Sequence, residues 1–271
     1  MALRILTLSL LASTTLAAGA QIQGAAAQSA AVQTVAALVG DRTIAIVDAA
    51  AKKVTRTMTV GGISGRLAGI DVRPADGMLY GVVEDGTVVT IDTRSGKATM
   101  KSRLEMMIPP GTAATVDFNP VADRLRLMGT DGMNLRANVD DGKVVRDGQL
   151  RFADGDMHKG ETPMVTAGAY TNSFKGTKET VLYDIDGKIG ALLRQAPPND
   201  GVLNAIGKLG VKADKAAFDI VSDGQGGNAA WLMAGGTLYK VDLATGKATK
   251  AAEIKGVKGT VRDIAALPKM M

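Results

Sequence analysis

Gly69-Ile70-Asp71-Val72-Arg73-Pro74 opens the stretch that decides the fold. It continues through a turn at Ala75-Asp76-Gly77, an apolar run at 78–83, a turn at Glu84-Asp85-Gly86, a second run at 87–91, the break Asp92-Thr93-Arg94-Ser95-Gly96 and a last run at 97–104. Each run is short and rich in β-branched or large apolar residues, and each break carries Gly with Asp or Ser, which tight turns favour. The stretch spells four consecutive antiparallel strands. A sheet with two apolar faces cannot stand alone in water, so something must cover both.

The chain supplies the cover by repetition. Residues 35–60 match the last three strands of the unit and lack its first. Another copy opens at Val116-Asp117-Phe118-Asn119-Pro120, and a more divergent one at Gly168-Ala169-Tyr170-Thr171-Asn172. The last opens at Ala217-Phe218-Asp219-Ile220, and its Thr245-Gly246-Lys247-Ala248-Thr249 echoes Ser95-Gly96-Lys97-Ala98-Thr99. A spare first strand, 261–267, follows. Four-stranded repeats of about 44–52 residues mark a propeller. The missing strand at the front and the extra one at the back predict how the ring closes. The expectation is an all-β fold: a five-bladed β-propeller of four-stranded antiparallel blades, shut by pairing the C-terminal strand with the N-terminal blade. An open β-sandwich is the alternative, but it leaves the complementary ends unexplained. No apolar 3.6-residue period runs beyond two turns, so helices are not expected.

Residues 1–20 place Arg4 before an apolar run at 5–16 and end in Ala18-Gly19-Ala20, the layout of a secretory signal peptide too short to span a membrane. A second small-residue site, Ala25-Ala26-Ala27, offers another cut. The reading is signal peptide and start of lead-in at 1–27, flexible lead-in at 28–34 and one propeller domain at 35–268. The product is expected in the periplasm or secreted, with no stable membrane insertion.

The 271 residues carry a net charge of +5 with basic residues scattered rather than clustered, and aromatics are only 3%, which excludes a nucleic-acid footprint. Weak attraction to anionic envelope polymers fits that charge. The absence of cysteine excludes disulfides, thiolate metal sites and cysteine nucleophiles.

Chemistry-bearing candidates are few. The opening strands repeat an acid at equivalent positions, Asp71, Asp117, Asp219 and Asp263, with Ala169 in the divergent copy. These carboxylates suit a metal or sugar-cleaving site near the axis, or, as the favoured reading, acceptors sealed between blades and bonded to backbone N–H or to Arg73 or Arg262. The segment at 152–163 holds Asp154, Asp156, Glu161 and the single histidine, His158, which read as an ordinary acidic loop or, as the alternative, an oxygen-rich set for a weak Ca2+ site; otherwise no cofactor is expected. Asn134, Arg136, Tyr170 and Asn172 are candidate ligand-binding groups from adjacent blades, or they satisfy backbone at strand ends. No nucleophile elbow accompanies His158, and no glycine-rich loop precedes a helix. Trp231 and the scattered methionines read as core.

Four segments, Phe118-Asn119-Pro120-Val121-Ala122-Asp123-Arg124-Leu125-Arg126, Asn134-Leu135-Arg136, Ala169-Tyr170-Thr171-Asn172-Ser173 and Pro197-Pro198-Asn199-Asp200-Gly201, occur in order. Through them the chain resembles, over about residues 35–268, a bacterial exported β-propeller-like family known as domain of unknown function 4394. The resemblance implies a secreted propeller and carries over no activity or catalytic residue. The acidic 154–161 loop departs from the glycine- and asparagine-rich loop that the resemblance implies there. The leading functional expectation is a non-catalytic envelope or secreted scaffold binding a protein or small molecule. The alternative is a metal-assisted hydrolase of lactonase or glycosidase type, working at one mouth of the ring.

Overall fold

Runs of consecutive apolar residues build this fold, because successive side chains of a strand point to opposite faces and each blade must bury both. The computed structural model describes residues 34–268; the expected signal peptide and most of the lead-in lie outside the described residues. In blade 1, β1 (Thr34–Val39), β2 (Thr43–Asp48) and β3 (Lys53–Thr59) form an antiparallel sheet. Along β1, Ala36 and Leu38 pack into the seam with blade 2, whereas Val35, Ala37 and Val39 pack into the seam with blade 5.

Blade 2 comprises β4 (Leu67–Val72), β5 (Leu79–Val83), β6 (Thr87–Ile91) and β7 (Ala98–Arg103). Blade 3 comprises β8 (Ala114–Asn119), β9 (Arg124–Gly129), β10 (Asn134–Ala137) and the short β11 (Val144–Arg146). The chain then lends β12 (Arg151–Phe152) as a parallel outer strand to blade 4. Blade 4 itself is β13 (Val165–Tyr170), β14 (Leu182–Asp186), β15 (Ala191–Gln195) and β16 (Val202–Lys208). Blade 5 is β17 (Ala217–Ser222), β18 (Asn228–Ala234), β19 (Thr237–Val241) and β20 (Ala248–Glu253).

The last strand, β21 (Val261–Ala266), returns to blade 1 and pairs antiparallel with β1, Val35 opposite Ala266 and Leu38 opposite Asp263. The ring closes as the sequence predicts, with five sheets and the order β21-β1-β2-β3 in the first. Each inner strand (β21, β4, β8, β13, β17) packs against the inner strands on both sides of it. Five apolar clusters fill the five seams. Among the described residues the single helix is a short 3-10 turn at Pro198–Asp200, between β15 and β16. Among the described residues no helix is long and apolar enough to cross a membrane.

The shared turn of the repeats has a shared cause. Asp92 Oδ1 accepts the Arg94 and Ser95 N–H groups at 2.9 and 2.7 Å, and Asp242 Oδ1 accepts those of Ala244 and Thr245, both at 2.9 Å. Gly96 and Gly246 then take left-handed φ values of 76° and 78°.

Candidate functional site

The repeated acids converge at the axis. One oxygen each of Asp71, Asp117 and Asp219 lies within 4.8 Å of the others, the one such acidic group among the described residues. Each aspartate also fastens its blade to the next. Asp71 Oδ2 accepts the Phe118 N–H at 2.7 Å, Asp117 Oδ1 that of Tyr170 at 3.0 Å, Asp219 Oδ2 that of Ala266 at 2.6 Å, and Asp263 Oδ2 that of Ile70 at 2.9 Å. Blade 4 has Ala169 at this position and leaves its own link out. Neither Arg73 nor Arg262 joins these carboxylates: Arg73 reaches into blade 3, and Arg262 donates to the carbonyls of Gly40 and Leu67.

Close approach makes the fastening work. A Cβ on Gly69 would stand 2.7 Å from Asp263 Oδ2 and 2.6 Å from Val116 Cγ2, so β4 needs glycine there. Burial lifts all four acids. Asp71 and Asp117 are pushed well above the usual carboxylate range by desolvation and by neighbouring aspartates, Asp263 is raised mainly by burial, and Asp219 is pushed up to about 6 by burial against two opposing backbone bonds. A pocket of about 220 Å³ opens above Asp71 and Asp219, lined by the ends of β4, β17 and β21.

A second buried acid stands outside this ring. Asp184 lies in the seam between blades 3 and 4, its oxygens accept no hydrogen bond, and the Thr115 hydroxyl nearby is likewise unpartnered. Burial pushes Asp184 up to about 8 despite the attraction of Arg126.

Three of the four expected ligand-binding groups meet, around Asp147 and Arg126. Arg126, only 1% exposed, donates to Tyr170 Oη at 3.0 Å, Asn134 Oδ1 at 2.8 Å, Asp147 Oδ2 at 2.7 Å and Asn199 Oδ1 at 2.9 Å. Arg136 grips both oxygens of Asp147 at 2.6 and 2.9 Å, which raises its own pKa. Asn134 donates to the Gly148 and Pro198 carbonyls. Asn172 is elsewhere, paired with Asn228 of blade 5. The network is saturated by its own members and ties blade 3 to blade 4.

In the 154–161 segment each candidate ligand faces a partner inside the protein. Asp156 accepts the His158 and Ala205 N–H groups at 2.8 and 2.6 Å, His158 Nδ1 meets Glu161 Oε1 at 2.9 Å, and Lys159 pairs with Asp154 at 3.1 Å. The His158 contact holds the Glu161 carboxyl below its usual value.

A wider opening than the axial pocket lies between blades 1 and 2. This cleft of about 890 Å³ is lined by the ends of β2 and β6, the starts of β1, β3, β5 and β7, and Leu267-Pro268 after β21. Sequence reasoning missed it. In blades 2 to 5 a connected segment joins the inner strand to the second, but in blade 1 two chain segments, Thr34 and Leu267, meet side by side instead. The cleft sits where that connection is lacking.

The family described as a domain of unknown function, DUF4394, matches residues 43–265. The chain belongs to this family. No curated protein matches the sequence. Among solved structures, the DUF4394 ring is similar to a protein of unknown function from Bacteroides caccae, 14% identical, over 85% of this chain and 77% of that one, with a TM-score of 0.46. A structural genomics protein of unknown function from Bacteroides thetaiotaomicron is 16% identical over 85% and 63%, with a TM-score of 0.50. The computationally designed Ika8 protein is 16% identical over 82% and 59%, with a TM-score of 0.37. This chain thus spans less than two thirds of the second and third. At such identities the likeness concerns the fold, and the second match is the one that bears on it.

Proposed function

We propose that this DUF4394 domain is a non-catalytic binding propeller, exported to the periplasm or beyond, whose ligand enters the cleft between blades 1 and 2. One observation carries the reading: the acids that converge at the axis are buried and already bridge blades through backbone N–H groups. A hydrolytic pair needs one ionised and one protonated carboxyl, both open to substrate. The cleft, by contrast, offers volume in the range of about 300–1,000 Å³ typical of ligand sites.

A metal-assisted hydrolase is the second reading, favoured by the approach of Asp71, Asp117 and Asp219 beneath the smaller pocket. Calcium and zinc titrations followed by thermal unfolding separate the two, since an ion binding only the folded state raises Tm. The scaffold reading expects no shift at millimolar metal and no turnover of lactones or glycosides. Metal-dependent turnover that disappears in Asp117→Asn would overturn it.

A further inference from the structure

The walls of the cleft differ from the other interblade contacts in their charges. Arg56 projects from blade 1, and Arg94 and Lys97 from blade 2, and none of the three forms an ion pair among the described residues. Arg56 makes one long bond across the cleft, Nη1 to the Thr93 carbonyl at 3.3 Å. The two carboxylates in the lining are engaged: Asp48 accepts the Ala51 N–H at 2.8 Å, and Asp92 caps its own turn. Two acids thus share the lining with three exposed cations, none of the three in an ion pair, and the lining keeps a net positive charge.

The rest of the lining narrows the partner. Threonine hydroxyls from both walls (Thr34, Thr90 and Thr99) offer donors and acceptors suited to backbone amides, while Thr55 Oγ1 donates to the Ile46 carbonyl at 3.1 Å. Met78, 45% exposed, lines the cleft together with Leu267, Ile46, Leu79 and Ile91, which supply its aliphatic part. Among the described residues no aromatic ring lines the cleft to serve as a flat stacking platform for a sugar chain. Long aliphatic side chains with acids between them match both the aliphatic part and the cations.

We propose that the cleft receives a short, extended, acidic segment of a partner polypeptide, its carboxylates on Arg56, Arg94 and Lys97 and its apolar side chains along Met78 and Leu267. This rests on the reading of the cleft as the ligand site and names the chemical class of that ligand. Charge complementarity carries it, and binding should weaken with salt.

The test is fluorescence anisotropy with a labelled peptide of about eight residues alternating glutamate and leucine, against the full domain and its Arg94→Glu/Lys97→Glu variant. Both substituted side chains are exposed and make no ion pair, so an unchanged Tm should accompany the variant. Saturable binding that falls by at least about tenfold in the variant, with Met78→Glu giving a further loss, is the expected result. Absent binding, or binding indifferent to the charge reversal, overturns the inference. Variant-sensitive binding of polygalacturonate without peptide binding also overturns it, while leaving the scaffold reading in place. Failure of the scaffold reading itself would appear separately, as metal-dependent turnover.

Discussion

The seam between blades 3 and 4 and the gap between blades 1 and 2 solve the same packing problem in opposite ways. Blade 3 gives the first only Met128 to the buried apolar cluster, and Arg126 closes the space with four polar partners drawn from both blades. The seam between blades 2 and 3 uses a similar device, with Arg73 of blade 2 holding Asp123 at 2.6 and 2.8 Å and Asp140 at 2.8 and 3.1 Å, both in blade 3. Those acids push the Arg73 pKa up, and Arg73 holds Asp140 below its usual value. Between blades 1 and 2 the apolar cluster is well filled, yet the arginines above it form no ion pair with the two acids that share the cleft. A guanidinium surrounded by acceptors is mortar; one facing open space is available to a visitor.

Removing the mortar should have the largest effect. Arg126→Ala takes the buried donor from Asn134, Tyr170 and Asn199 and leaves Asp147 to Arg136 alone, and breaking a buried charge network of this kind costs about 3–5 kcal/mol; urea unfolding reads it as a lower midpoint. Removing an axial fastener should cost less. Asp263→Ala leaves the Ile70 N–H buried without an acceptor, worth about 1–3 kcal/mol by the same measurement.

A gentler change is expected in the pH profile. Asp219 at about 6 and Asp184 at about 8 bind protons more tightly in the folded chain than the ordinary carboxyl at 3.8. Their contribution is therefore whole below about pH 4 and is lost as pH rises through 6 and then 8. Asp184→Asn should flatten the upper part of that decline, leaving a variant more resistant to urea than the parent at pH 9 and close to it at pH 5. The smallest effect belongs to the cleft: Arg94→Ala and Lys97→Ala should each move stability by less than about 0.5 kcal/mol, because neither side chain holds the fold. A large loss there would erase the contrast between the two seams.

Much of the architecture was legible because strands and turns are written locally. Asp-Gly breaks between short apolar runs marked the blades, and the unmatched strand around Asp263 marked the closure. The axial bonds were half legible: the repeated acid and its N–H acceptor role follow from the pattern, while arginine as its partner does not, since Arg73 meets acids in the next blade. The Arg126 network was out of reach because it joins residues as far apart as Arg126 and Asn199. Asp184 gave no signal, since an acid in a strand ordinarily reads as solvent-facing, and this one lies over the bare backbone of Gly168. The cleft was invisible for another reason. It is made by a connection that does not exist, and a sequence displays residues, not their absence.

Pairing of β21 with β1 has a temporal consequence. A ribosome delivers the head of the chain long before its tail, so the first sheet waits, one edge bare, for the whole rest of the polypeptide. Product cut short before Val261 would carry four finished sheets and a frayed one, an adhesive edge for its neighbours and an opening for proteases. Quality control thereby comes built into the order of synthesis: only a full-length molecule can latch.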